Sequence, residues 1–339
     1  MTQVKEWFRT KKLDDTTAIV EFERVVAEIF GTKYGIFVNS GSSANLLACF
    51  CMEFKAEDEV ITPACTFPTT LSPIVFCGAK AVFCDVEKGY IIPSVQMVLD
   101  CITPKTKCIL IPDLVGDKFD FIGLKQKLKE INREDIKMIE DACDTITHCD
   151  ADIATVSFYP SHVISSGGMG GMVLTNSDEY AEKCYRLRKC DLWDFSVPPF
   201  CASFGIENAK KFPEIARKRK ENFNHYCERL KDCPFYQLPK NKDCLWLSMP
   251  LVCNHNRFDL VSILENIGIQ TRLCMAGNIL RQPYYKKLFN NVDPGRFKNT
   301  EDIFRGGILV GLHQGLSIED IDFVCDKLIE IAKEIESKK

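Results

Sequence analysis

The chain has 339 residues, with 43 Lys and Arg against 47 Asp and Glu, a formal net charge of −4, 46% apolar residues and 27% charged. These are ordinary values for a globular protein and exclude whole-chain disorder. The slightly acidic balance argues against a dedicated nucleic-acid binder, which carries a basic face.

The length suggests one large domain and a smaller one. Residues 1–15 are mostly charged and polar, with no apolar core of a signal peptide. No stretch approaches the roughly 18 apolar residues that span a membrane. A soluble, cytoplasmic protein is expected. The 18 cysteines form no Cys-x-x-Cys, and the one Cys-x-Cys, Cys49 and Cys51, lies in an apolar helical run. Most are expected to be buried thiols acting as small hydrophobes, with no metal site and no disulfide framework.

In chain order, residues 5–30 read as one or two helices, with Ile19, Phe22, Val26 and Phe30 on a broad apolar face. A strand over 35–39 ends in small polar residues, and a helix over 43–54 follows. Then come a strand over 59–62, a helix over 69–76 and a strand over 79–86. The apolar run 108–112 is a buried strand, 121–131 a helix, and 136–139 a buried strand ending at Glu140 and Asp141. Strands over 153–158 and 171–174 complete this part. Short apolar strands alternating with helices predict a mostly parallel sheet covered on both faces. Its chemistry belongs at the C-terminal ends of the strands. After about Arg188 the pattern changes. Residues 206–230 form a long helical stretch rich in Lys and Arg, 245–252 a strand, 258–267 a helix and 318–336 a last helix. A large domain over 1–190 and a small α+β domain over 191–339 are expected.

Three polar clusters fall at strand ends. In Asn39-Ser-Gly-Ser-Ser-Ala-Asn45 a strand gives way to a helix through small residues. Amides and hydroxyls at a helix N-terminus take anions, most often phosphate. The alternative is an ordinary cap by Ser42 or Ser43. In Ile139-Glu-Asp-Ala-Cys-Asp144 carboxylates end a buried strand and need partners. Either Asp141 or Asp144 caps a helix, or a carboxylate is aimed at a cationic group of a ligand. The third cluster runs from Ser157 through His162 to Gly167, Gly168, Gly170 and Gly171. A His among small residues at a strand end suits proton transfer near neutral pH, although a lone His is more often structural.

These clusters, in this order and spacing, resemble the DegT/DnrJ/EryC1/StrS family of pyridoxal-phosphate-dependent sugar aminotransferases over about residues 25–331. Residues 58–70 and Ala276-Gly-Asn-Ile-Leu-Arg-Gln-Pro283 add to the likeness. The resemblance implies the fold-type-I architecture, a mostly parallel seven-stranded sheet with a smaller α+β C-terminal domain. It implies that Asp141 pairs with the pyridine nitrogen of the cofactor, that Asp144 lies near the ring and that Phe67 stacks on it. Gly41 and Ser42 match the phosphate-binding turn, and Ser157 a hydroxyl that also holds phosphate. Arg272, Asn278, Arg281 and Tyr284 are candidates for the sugar or diphosphate pocket. Family members are homodimers that share their active sites.

The decisive departure is at position 162. The aminotransferases have there the Lys that binds the cofactor covalently; this chain has His162 and no lysine between Lys137 and Lys183. One branch of the family has the same exchange, the 3-dehydratases of nucleotide-activated 4-keto-6-deoxyhexoses. Asn39–Leu47, Phe67-Pro-Thr-Thr70, Glu140-Asp-Ala-Cys-Asp144, Ser157-Phe-Tyr-Pro-Ser-His162 and Thr271-Arg-Leu-Cys-Met-Ala-Gly-Asn278 resemble that branch. It implies a non-covalent pyridoxamine phosphate made from pyridoxal phosphate and L-glutamate. His162 is the implied base, and loss of the C3 hydroxyl gives a 4-keto-3,6-dideoxy sugar. Some branch members hold an iron–sulfur cluster through a Cys-x-Cys pair in the region after the His. Cys184, Cys190 and Cys201 supply no such pair, which favours the cluster-free style acting on a GDP-linked sugar. Val163 replaces a second His, and Met169 replaces an acidic residue of the branch. The competing readings are a degenerate nucleotide-sugar or partner binder and a conventional nucleotide-sugar aminotransferase.

Overall fold

A computed structural model describes residues 16–189, 193–254 and 257–337. The part of the expected first helix before residue 16, the boundary at 190, and Cys190 lie outside the described residues.

Helix α1 (Thr17–Phe30) leads into β1 (Tyr34–Val38), α2 (Gly41–Cys51), β2 (Glu59–Pro63), α3 (Pro68–Phe76) and β3 (Lys80–Cys84). Then follow α4 (Val95–Leu99), β4 (Thr106–Pro112), α5 (Phe121–Glu130), β5 (Lys137–Asp141), β6 (Ile153–Ser157), β7 (Gly171–Thr175) and α6 (Asp178–Lys189). The seven strands form one sheet in the order β1-β7-β6-β5-β4-β2-β3. The pairs from β3 through β6 are parallel, and β7 runs antiparallel to both β1 and β6. The mostly parallel sheet follows from runs such as Cys108–Pro112, apolar on both faces and buried throughout.

This order decides where the site lies. Val38, ending β1, and Ser157, ending β6, both pair with Gly171, which begins β7. Two strand ends and the glycine turn therefore meet at one edge of the sheet. A Cβ on Gly171 would sit 2.3 Å from the backbone of Ser40. Only glycine permits that approach.

After α6 the chain forms α7 (Pro199–Lys210) and α8 (Phe212–Leu230). The expected single helix over 206–230 is thus two helices. Pro213 lacks the N–H that a continuous helix needs, and it falls in the first turn of α8. Val197, Cys201, Ala202 and Ile206 share a core with Phe22, Val26, Phe37 and Phe158. The segment after the glycine turn therefore returns to pack on the first sheet.

A second sheet is fully antiparallel, in the order β10 (Thr271–Leu273), β11 (Gly307–Val310), β9 (Met249–Cys253) and β8 (Tyr236–Gln237). The strand expected over 245–252 is confined to β9. Helices α9 (Arg257–Asn266), α10 (Pro283–Leu288), α11 (Lys298–Gly306) and α12 (Ile318–Ser337) complete this part. None of the described cysteines is exposed, and burial pushes thiols such as Cys49 and Cys84 well above their ordinary pKa. Among the described residues no helix is long and apolar enough to cross a membrane.

Candidate active site

A cleft of about 1480 Å³ opens at the sheet edge where β1, β5 and β6 end. Gly41, Ser42, Phe67, Asp141, Asp144, Ser157, His162 and Arg272 all line it, as does Tyr284. Nine of the eleven residues singled out from the sequence therefore come together, from segments more than 200 positions apart.

The end of the cleft at α2 is built by close approach. Ser40 caps α2, its Oγ accepting from the Ser43 amide at 3.1 Å. The cap is thus Ser40 rather than Ser42 or Ser43. Gly41 and Ser42 head the helix and face the cleft. A Cβ on Gly41 would meet Cys143 Sγ at 2.7 Å and Ser157 Cβ at 2.8 Å. Glycine is what lets the first turn of α2 lie against the end of β6.

No helix follows β5, so neither Asp141 nor Asp144 is a cap. Asp141 is 4% exposed. Its Oδ2 accepts from Asn45 Nδ2 at 2.8 Å and from Thr70 Oγ1 at 2.7 Å, and its Oδ1 from the Cys143 amide at 3.2 Å. Three donors make it a satisfied acceptor of fixed direction rather than an isolated charge.

Asp144 is held differently. Its Oδ2 accepts from the Val115 amide at 2.8 Å. Burial pushes its carboxyl up to about 6, against the pull of His162 and the Val115 hydrogen bond. Val115 itself has φ 57°, a left-handed conformation that strains a β-branched residue. The strain sits where its N–H meets Asp144.

His162 follows a turn after β6, its amide donating to Tyr159 O at 2.9 Å. Its Nδ1 lies 2.5 Å from Cys143 O and 4.0 Å from Asp144 Oδ1. A carbonyl only accepts, so Nδ1 carries the proton. The neutral ring then has its lone pair on Nε2. Its ring meets Tyr159 edge-on, with centroids 6.1 Å apart. Among the described residues no lysine lines the cleft, and Arg272 is its one other basic residue.

Two expected pocket residues lie elsewhere. Asn278 is fully buried, and its amide is spent on Glu301 Oε1 and Pro294 O while its Oδ1 accepts from the Leu280 amide. Arg281 forms a two-pronged ion pair with Glu301, both contacts at 2.6 Å. Burial alone raises the Glu301 carboxyl, but Arg281 and Asn278 hold it below the ordinary value. These residues fix the turn that carries the cleft wall from β10 to α10.

The sequence reading gave no role to Asn45, Thr70 or Thr155. Asn45 lies one helical turn after Gly41, and Thr70 one turn after Phe67. That spacing was the available signal. Among the described residues no three His, Cys, Asp or Glu side chains gather as a metal site. Cys184 lies 3.3 Å from Cys51, in a different core from Cys201.

The model of the DegT/DnrJ/EryC1/StrS aminotransferase family matches residues 1–329. The chain belongs to that family. It is 28% identical to the GDP-4-keto-6-deoxy-D-mannose 3-dehydratase of Yersinia pseudotuberculosis, over 88% of this chain and 87% of that protein. It is 33% identical to the GDP-perosamine synthase of Caulobacter vibrioides, over 92% of this chain and 90% of that protein. The solved structure of the E. coli GDP-4-keto-6-deoxy-D-mannose-3-dehydratase with bound hydrated PLP superposes with a TM-score of 0.86. It covers 96% of this chain and 95% of that one at 23% identity, a likeness of fold.

Proposed function

We propose that this family member is a 3-dehydratase of a nucleotide-activated 4-keto-6-deoxyhexose, most consistent with a GDP-linked sugar. The observation that carries the reading is His162. It stands in the cleft at the family's lysine position, with Nδ1 pinned by Cys143 O, and among the described residues no lysine lines the cleft.

The residues present fit pyridoxal or pyridoxamine phosphate. The amides of Gly41 and Ser42 and the Ser157 hydroxyl suit the phosphate, as at other helix N-termini. Phe67 is half-exposed in the cleft and suits an aromatic face, and the buried Asp141 suits a protonated pyridine nitrogen. When bound, the amine form supplies the nitrogen that condenses with a ketone and a ring that accepts electrons. This chain's part is to hold and to move protons. Nε2 of His162 takes a proton and, once protonated, can return it to a leaving hydroxyl. Asp144 lies 4.0 Å from Nδ1, the nearest carboxylate contact of the ring. Unlike a lysine, an imidazole does not capture the cofactor covalently, so the amine form stays available.

Half-exposed or exposed Tyr159, Leu273 and Tyr284 ring the cleft. They support a homodimer whose second copy covers the rim. L-Glutamate is the amino donor in this reading. Amino transfer to the sugar is the second reading, favoured by the 33% identical relative. It requires a lysine to act from outside the cleft lining.

The test is a titration with pyridoxal phosphate followed by L-glutamate, then borohydride and intact mass. The proposal predicts conversion of the aldehyde spectrum to the amine spectrum, with no mass gained. Cofactor locked onto a lysine by borohydride would sink it. Failure to bind any B6 form would favour a binder without catalysis.

A further inference from the structure

We propose that Asn45, Thr70 and Thr155 form a clamp that aims Asp141, making the two ends of the cofactor site report to one carboxylate. The inference rests on the reading of Asp141 as the ring-nitrogen partner.

The geometry begins with Oδ2 of Asp141. A carboxylate oxygen has two lone-pair directions. Asn45 Nδ2 at 2.8 Å and Thr70 Oγ1 at 2.7 Å fill both on Oδ2. Oδ1 receives the longer bond, 3.2 Å, from the Cys143 amide, beside the weakly donating Cys143 thiol. Oδ1 is therefore the oxygen with acceptor capacity left for a ligand proton.

The donors are themselves held. Thr155, paired with Asp141 across β5 and β6, donates its hydroxyl to Asn45 Oδ1. With Oδ1 of Asn45 occupied by a donor, its NH₂ must face Asp141, and it reaches Thr69 O at 3.3 Å as well. Asn45, Thr70 and Thr155 are at most 1% exposed, so water does not compete for these bonds.

The placement of the donors carries the functional content. Asn45 is four residues after Gly41 on α2, and Thr70 is three residues after Phe67, the cap residue of α3. The helix that presents the phosphate-binding amides and the helix that presents the aromatic face each send one donor to the same oxygen. A shift of either helix would misaim Asp141. The three polar residues are positioning residues, acting on the cofactor through Asp141.

The experiment compares binding of pyridoxal phosphate with its 1-deaza analogue, in which carbon replaces the ring nitrogen. Dissociation constants are measured by absorbance titration on the full chain. The wild type should prefer pyridoxal phosphate. Thr70→Val, which keeps the side-chain shape, should lose about tenfold of that preference, the scale of one hydrogen bond to a charged group. Thr155→Val, acting through Asn45, should lose about threefold, and Thr70→Ser should retain the preference. Nitrogen-15 NMR of the bound ring should move toward the unprotonated form in Thr70→Val. Equal weakening of both compounds, or an unchanged preference in both valine variants, would overturn the clamp alone. Binding of neither compound by the wild type would overturn the cofactor reading and the clamp together.

Discussion

The peptide groups of Cys143 hold both Asp141 and His162. Its N–H donates to Asp141 Oδ1 at 3.2 Å, and its carbonyl accepts from His162 Nδ1 at 2.5 Å. The carboxylate and the imidazole to which we assign the ring nitrogen and the proton transfer are thus registered by one residue of the chain leaving β5. The sulfur matters less; burial pushes its thiol well above the ordinary value, so it is a poor nucleophile.

His162→Asn is expected to lower turnover by about 10²- to 10⁴-fold, the usual share of a general base. Affinity for pyridoxamine phosphate should stay within a few-fold of the wild type, because its phosphate and ring are held by other residues. Steady-state rates beside a binding titration check this. A parallel fall in affinity would instead make His162 a binding residue.

Asp144→Asn separates stability from function. The carboxyl is raised from 3.8 to about 6 in the fold, worth up to about 3 kcal/mol. A raised acid contributes its full stability below about pH 4 and loses it as pH rises through about 6. The variant should therefore be more stable than the wild type at pH 8, by about 1–3 kcal/mol, and near parity at pH 4. Its turnover should fall about tenfold or more, since the carboxylate beside His162 is lost from the proton-transfer site. Urea titrations at the two pH values and a rate profile measure both effects.

Gly41→Ala forces a methyl to within 2.7 Å of Cys143 Sγ and 2.8 Å of Ser157 Cβ. Overpacking of this kind costs about 1–3 kcal/mol. The displaced turn should also bind inorganic phosphate and pyridoxal phosphate about tenfold more weakly, by the loss of a charge-assisted hydrogen bond. Calorimetric melting and binding titration test the two halves.

Arg281→Met tests a structural assignment. Removing the guanidinium leaves Glu301, itself 6% exposed, with Asn278 and the exposed Arg305 at 3.6 Å. Arg281 is partly exposed, so solvent screening limits the expected loss to about 1–2 kcal/mol at pH 7. The Glu301 carboxyl is held below its ordinary value, so this loss should shrink as pH falls through that value. Affinity for pyridoxal phosphate should remain within about twofold, because no lost bond reaches the cleft.

The sheet was legible where its strands are buried on both faces. Cys108–Pro112 and Ile153–Ser157 announce themselves as continuous apolar runs. The second sheet was not, since Tyr236–Gln237 and Thr271–Leu273 are too short to show any period. Cleft-lining residues such as Asp141 and His162 were legible because local motifs carry them at strand ends. Asn45 and Thr70 escaped because their partner lies 96 and 71 residues away. Asn278 and Arg281 misled for the converse reason. Their polar groups are consumed by Glu301, 23 and 20 residues on, which no motif indicates.

The most direct measurement is product analysis with GDP-4-keto-6-deoxymannose, L-glutamate and pyridoxal phosphate, by mass spectrometry of the sugar and assay of free ammonia. The account predicts a keto sugar that has lost its C3 oxygen, with one ammonia released per sugar. An amino sugar that keeps the C3 hydroxyl and retains the nitrogen at C4 would contradict it.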